Sequence, residues 1–312
     1  MSNPLTYLPL ALAGANGELN ALSARRLISA GVALLQRSAP LVRALSGHRS
    51  AILLPPSPAF LVALAASEGR GAVLLDPLAP PDTLEPALRR HDAAAVFTTV
   101  ALAERLPSGI PVLLLDEAPD RVTWLGGGER RTIELAWHGG LHLMGEADEP
   151  GADEEVLVPC GGDARGDALG VPVTHRRVMA SAVATAVRER LGGRDHTLTI
   201  APSPMLASLV PGVLSPLMVG GRVTTAAHGD PAWVIERLES GGVSALVAPA
   251  ETFRVLLDAL AARGRPLDAP VLQRCLAGGS GIDDALARRW YDATGVRLRA
   301  GDAVGSDGAF GA

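Results

Sequence analysis

The chain has 312 residues, 48% of them hydrophobic but only 3% aromatic, so it can bury a large core built on Ala, Leu and Val, and a disordered polymer is excluded. Its formal net charge is −5, which leaves no broad basic surface, and no nucleic-acid partner is expected. All 28 basic residues are arginine and no lysine occurs, so a step that needs a lysine ammonium must be supplied from elsewhere. Cys160 and Cys275 are the only cysteines, too few for a disulfide framework. The opening run MSNPLTYLPLALAGANGEL has no basic region ahead of its apolar stretch and is too short to span a bilayer. Neither a secretory leader nor a membrane partner is expected, and the chain is read as cytoplasmic.

In chain order, Asn20–Leu45 carries a long helical pattern, broken around Pro40. Short apolar runs at Ser50–Leu54, Gly71–Leu75, Ala93–Thr98 and Pro111–Leu115 predict buried strands. Between them, Pro58–Glu68 and Pro81–His91 predict helices, each with a proline near its start, where it is tolerated. Apolar strands separated by helices indicate a parallel sheet covered on both faces. The acidic stretch EADEPGADEE (146–155) reads as a linker. The alternation then resumes, with strands expected at Glu155–Pro159, Thr197–Ala201, Arg222–Ala226, Val243–Ala248, Arg274–Ala277 and Val296–Ala300. Helices are expected at Thr174–Leu191 with Thr174 as N-cap, then at Leu206–Met218, Pro231–Ser240, Glu251–Ala262 and Asp283–Thr294. The expectation is an α/β protein of two consecutive lobes with mostly parallel sheets, 1–150 and 151–312, the second carrying the glycine loop. Ligands of such sheets bind beyond the carboxyl ends of strands, near switch points in strand order.

Three stretches carry a resemblance: AILLPPSPAFLVALAASEGRGAVLLDPLAPPDTLEPAL (51–88), VSALVAPAETFRVLLDAL (243–260) and LQRCLAGGSGIDDALARRWYDATGVRL (272–298). In order and spacing the chain, from about residue 25 to 310, resembles the N-terminal domain of adenylate-forming enzymes. These are the acyl-CoA synthetases, peptide-synthetase adenylation domains and luciferases. The resemblance implies that family's large-domain fold, an ATP or AMP site with magnesium, and a carboxylic acid as co-ligand.

The motifs depart from the family where chemistry is concentrated. The family's phosphate loop is rich in Ser, Thr and Gly, then reads Pro-Lys-Gly and Thr-His. In LVPCGGDARGDALGVPVTH (157–175), Gly166, Gly170, Thr174 and His175 fall on matching positions. Asp163, Ala164 and Arg165 stand where small hydroxylic residues belong, and Leu169 stands where the lysine belongs. Such a loop turns backbone N–H groups and hydroxyls towards an anion, with a cation closing the field. Asp163 and Asp167 add negative charge instead. Losing one preorganised donor costs roughly 3–4 kcal/mol of stabilisation, and Arg165 is a wider, planar group at another position. Where an aromatic or His commonly follows Pro-Leu in the family, this chain has Pro204-Met205. The pocket glycines of the family match Gly278 and Gly279, which serve equally as a tight backbone turn. The last motif, Tyr-Gly-x-Thr-Glu, meets GDAVGSDGAFGA (301–312). Ungapped, Asp302 replaces the tyrosine; with one inserted residue, Ser306 and Asp307 pair with Thr-Glu. The second register makes Ser306 a phosphate contact and Asp307 a magnesium ligand, against the alternative of a solvated acid. The family's ribose-reading aspartate and its small C-terminal domain, which brings a second lysine over the site, are expected to be missing.

Other constellations weigh less. His138, His142 and Glu146 recur at helical spacing, as metal ligands can, but among glycines. Cys160 ends a strand before the glycine loop with no base assignable to it. His175 heads a helix, where the positive dipole end disfavours an imidazolium, and is read as packing or capping. The favoured expectation is a degenerate adenylate-forming protein that binds an acyl, aryl or adenylate-like ligand, or a protein partner, without full adenylation activity. In the alternative, the chain is part of an acid-activating ligase completed by a separate lysine-bearing polypeptide. A purely structural subunit is the third.

Overall fold

A computed structural model describes residues 8–38, 45, 48–67, 70–135, 151–160, 171–201, 204–279 and 281–301. Two sheets are present among them. The first runs β10-β9-β4-β3-β5-β6-β7-β8: β3 (Arg49–Ile52), β4 (Ala72–Leu75), β5 (Ala93–Thr98), β6 (Val112–Leu114), β7 (Arg121–Gly126), β8 (Glu129–Glu134), β9 (Glu155–Cys160) and β10 (Val173–Thr174). The second runs β15-β14-β13-β11-β12-β1-β2: β1 (Glu18–Leu19), β2 (Leu22–Ser23), β11 (His196–Ile200), β12 (Arg222–Ala226), β13 (Ala245–Pro249), β14 (Arg274–Gly278) and β15 (Leu298–Ala300). Pairing is parallel through β9-β4-β3-β5-β6 and through β15-β14-β13-β11-β12-β1. The hairpin additions β10, β7, β8 and β2 are antiparallel. This is the α/β, mostly parallel architecture expected from the apolar runs.

Strand β9 pairs with β4, Ala72 opposite Leu157 through Leu75 opposite Cys160, and so joins the first sheet. In return β1 joins the second sheet beside β12. The reason is that Val156, Leu157 and Val158 are all buried, which requires cover on both faces. Both sheets could offer it, and only long-range pairing chooses between them.

The helices are α1 (Leu8–Gly14), α2 (Ala24–Arg37), α3 (Pro58–Ala66), α4 (Pro81–Arg90), α5 (Val100–Ala103), α6 (His175–Arg188), α7 (Leu206–Leu209), α8 (Ser215–Met218), α9 (Pro231–Glu239), α10 (Ala250–Arg263) and α11 (Asp284–Thr294), with a π turn, Val210–Leu214, between α7 and α8. The expected long N-terminal helix begins only at Ala24. Before it, Asn20 and Ala21 both take positive φ, 48° and 64°, the requirement of a tight type I′ hairpin, and Ser23 Oγ accepts from Arg26 N as the N-cap.

One apolar cluster includes Leu27 and Ile28 of α2, Phe60 and Leu64 of α3, and Leu209 and Val213 of the α7–α8 segment, so the helices of the two sheets share a core. Helices α2 and α3 approach very closely. A Cβ on Gly31 would stand 2.4 Å from the Val62 carbonyl oxygen and 2.6 Å from Ala65 Cβ. A second cluster holds Phe253 and Trp290 edge to face, centroids 4.8 Å apart, joining α10 to α11. Among the described residues no helix is long and apolar enough to cross a membrane.

Candidate functional site

In the second sheet the chain leaves β11, crosses to β12 on one side, and returns to β13 on the other side of β11. The switch point therefore lies between the carboxyl ends of β11 and β13, where a crevice for ligand is expected. Helix α10 opens there directly at Ala250, with Pro249 in the N-cap position and no side chain capping it. The amide N–H groups of its first turn are thus available to an anion. Arg254, one turn on, donates to the Gly281 carbonyl oxygen at 2.6 Å and to Glu251 Oε2 at 3.2 Å. It places a guanidinium beside the glycine-containing turn after β14. Nothing in the sequence singled Arg254 out, because an exposed Arg near a Glu on a helix is a common solvated pair.

Gly278 ends β14 and Gly279 opens that turn, and the structure gives them different jobs. Gly279 has φ +85° and no described atom within 4 Å of where a Cβ would be. Gly278 is blocked: a Cβ there would stand 2.2 Å from Ser208 Oγ and 3.1 Å from the Ala207 carbonyl oxygen. Gly301, after β15, meets the same carbonyl, again at 3.1 Å. Met205 lies at the start of this arrangement. Its carbonyl accepts from Ser208 N and Leu209 N, and its side chain is exposed. Met205, Gly278 and Gly279 are therefore gathered at one end of the second sheet by α7.

The local sequence explains why α7 lies so close. Pro211 has no N–H to return to the carbonyl four residues back, that of Ala207, and Pro216 has none for Gly212. The ladder widens into a π turn closed by Ser215 N on Val210 O. The Gly212 carbonyl is taken up instead by Thr199 Oγ1 of β11, 2.7 Å, and Ser215 Oγ donates to Val210 O at 2.8 Å. A side chain at Gly212 would strike Thr199, so helix backbone and sheet are pressed together. Ser208 went unnoticed in the sequence; the proline pair 211/216 was the signal that could have found it.

Of the other expected positions, Thr174 is the N-cap of α6, its Oγ1 accepting from Arg177 N at 3.3 Å, an interaction worth about 1 kcal/mol. Gly166 and Gly170 lie outside the described residues, as do Asp163, Arg165, Leu169, Ser306 and Asp307, and the trio His138, His142 and Glu146. The glycine loop's frame is described: it leaves β9 at Cys160 and returns in the antiparallel β10. His175 is fully buried, and its Nδ1 lies 3.2 Å from Leu8 N, which donates to it. The imidazole thereby ties α1 to the head of α6. Burial pushes the Cys160 thiol up to about 11, against the opposing pull of Arg90 and Arg49, and leaves little thiolate for chemistry. Among the described residues no three His, Cys, Asp or Glu side chains gather as a metal would require.

The fold has close counterparts among solved structures. Apo MatB from Rhodopseudomonas palustris superposes with a TM-score of 0.69 at 15% identity, covering 94% of this chain and 58% of that one. The N-terminal subdomain of Klebsiella oxytoca NpsA gives 0.67 at 16%, covering 95% and 73%. The anthranilate CoA ligase AuaEII in complex with anthranoyl-AMP gives 0.68 at 14%, covering 95% and 60%. The chain thus spans somewhat over half the length of MatB. No curated protein matches it by sequence. The model of the family described as AMP-binding enzyme matches residues 41–301, most of the chain, and the chain belongs to that family.

Proposed function

We propose that this chain is a degenerate adenylate-forming protein that uses the crevice at the carboxyl end of the second sheet to bind an adenylate-like ligand, without competent adenylation chemistry of its own. The observation that carries this is electrostatic. Adenylation brings a carboxylate against the α-phosphate of a triphosphate, and the negative charge must be met by preorganised donors and cations. Leu169 occupies the lysine position of the phosphate loop, Asp163 and Asp167 bring charge of the wrong sign, and the chain contains no lysine. What the described residues do offer suits a single phosphate: the uncapped start of α10, the open backbone at Gly279 and one guanidinium, Arg254. Thr174, Gly166, Gly170 and Ser306 would add neutral donors, and Gly278, Gly279 and Met205 would face the acid.

Calorimetric titration with AMP and ATP, with and without magnesium, tests the ligand. AMP is expected to bind at least as well as MgATP. Mixing the purified chain with ATP, magnesium and a panel of carboxylic acids tests the chemistry. Acid-dependent pyrophosphate release by the chain alone would sink the proposal. Release only after addition of a lysine-bearing polypeptide would instead support a ligase subunit completed in trans, the reading in which Ser306 and Asp307 hold phosphate and magnesium.

A further inference from the structure

We infer that the acid end of this crevice is closed by Ser208, so that the site accepts an adenylate carrying a short acyl group and rejects long-chain and aryl ones. The inference rests on reading the crevice as an adenylate site, and it adds which ligands that site takes.

An acyl or aryl group attached to a nucleotide lying along Gly279 would have to continue between α7 and the end of β14. That gap is filled. Ser208 Oγ lies so near Gly278 that even a methyl group on Gly278 would overlap it, and the Ala207 carbonyl stands over both Gly278 and Gly301. Ser208 is itself buried, and Leu206, Ala207, Leu209, Val210, Val213 and Leu214 around it are at most 5% exposed. Behind Ser208 stand buried apolar side chains of the core shared by the two sheets.

The segment cannot readily lift to make room. Thr199 Oγ1 holds the Gly212 carbonyl, and a Cβ on Gly212 would meet Thr199 Cγ2 at 2.7 Å and Val247 Cγ1 at 3.2 Å. Lifting α7 would break this bond and open a void under the π turn, and packed interiors resist both. By contrast no described atom lies within 4 Å of the Cβ position of Gly279, and the exposed Met205 is a flexible, adaptable side chain. Among the described residues the turn is therefore clear on the Gly279 side and closed on the Gly278 side by Ser208. A hydrophobic pocket discriminates about tenfold or more per methylene when the extra atoms have nowhere to go.

The experiment is titration of the whole chain with AMP and with three non-hydrolysable acyl sulfamoyl-adenosines: acetyl, octanoyl and benzoyl. The acetyl compound is expected to bind, and the octanoyl and benzoyl compounds to bind at least about tenfold more weakly. Octanoyl or benzoyl affinity equal to or better than acetyl would overturn the inference while leaving the adenylate site standing. Failure of AMP and all three analogues would overturn that site and this inference together. Ser208→Gly removes the obstructing hydroxymethyl, and its effect is read as the ratio of benzoyl to acetyl affinity. A rise of about tenfold in that ratio is expected, and an unchanged ratio would remove Ser208 from the role assigned to it. The native-chain comparison stands even if that variant folds poorly.

Discussion

Replacing Gly31 by alanine should destabilise the protein although it adds only one methyl group to a helix. Taken alone, Gly→Ala inside a helix stabilises by about 1 kcal/mol. Here the added Cβ would stand 2.4 Å from the Val62 carbonyl oxygen, 2.6 Å from Ala65 Cβ and 2.9 Å from Ala66 N. Those neighbours are backbone atoms and a Cβ, which cannot rotate away. Helices α2 and α3 would have to part by roughly 1 Å, and they form part of the core common to both sheets. Overpacking of this kind costs about 1–3 kcal/mol, and with no soft neighbour the upper end applies. Set against the propensity gain, a net loss of about 2 kcal/mol is expected. Urea unfolding followed by circular dichroism measures it. Gly14→Ala, also helical but with nothing within 4 Å of its Cβ position, serves as control and should be neutral or slightly stabilising. Adding Ala65→Gly to Gly31→Ala should recover only part of the loss, because the Val62 carbonyl remains in the way. A Gly31→Ala protein as stable as the parent would refute the close approach of the two helices.

Three further outcomes are expected. Asp195 accepts from Gly192 N, Ser244 Oγ and Arg274 NH1 at 2.7–2.8 Å in a largely buried pair, so Asp195→Ala should cost about 3 kcal/mol or more at neutral pH in urea unfolding. Burial alone would raise this carboxyl. The bonds from Ser244 and Gly192 and the Arg274 charge outweigh it and hold the group below its ordinary value, so its contribution is complete above pH ~4 and fades as pH falls through the lowered native value; a penalty that persisted at pH 2 would contradict this. His196 is held below its ordinary value by burial, then by Arg222 and Arg237, against the Gly242 carbonyl. The unfolded chain therefore takes up this proton first as pH falls below ~6.5, native stability declines there, and His196→Asn should flatten that part of the stability curve. The Cys160 thiol, raised to about 11, should alkylate with iodoacetamide at pH 8 far more slowly in the native protein than in urea, and equal rates would show that the site is open.

Much of the fold was legible because burial on both faces writes itself into sequence. Runs such as AAAVFT and RVTTA fall on β5 and β12 with the expected bounds, and proline-led helices begin at Pro58, Pro81 and Pro231 as expected. What escaped had no local signature. The hairpin of β1 and β2 turns on Asn20 and Ala21 at positive φ with no glycine at the turn, and its register is set by Asn20, whose side chain bonds Thr225, some 205 residues away. Strand β8 buries only Ile133 of its six residues, so no alternation shows. The assignment of β9 to the first sheet follows from its pairing with β4, and pairing partners are not encoded in the strand that seeks them.

The site divides in the same way. Glycines could be recognised as places where backbone comes close to something, but Gly278 and Gly279 sit side by side with opposite meanings: one admits a helix and the other leaves a gap. Only the partner atom distinguishes them, and that partner is brought by two prolines some seventy residues earlier. Pro211 and Pro216 each withdraw one N–H from the 206–218 helix. The carbonyls they release, Ala207 and Gly212, are the atoms that meet Gly278 of β14, Gly301 just after β15, and the hydroxyl of Thr199. In this chain, then, the close packing of α7 on the end of the second sheet is written as backbone hydrogen bonds that a helix was prevented from making. Substituting Pro211 or Pro216 should restore a helical hydrogen bond to Ala207 or Gly212 and shift α7 relative to β14.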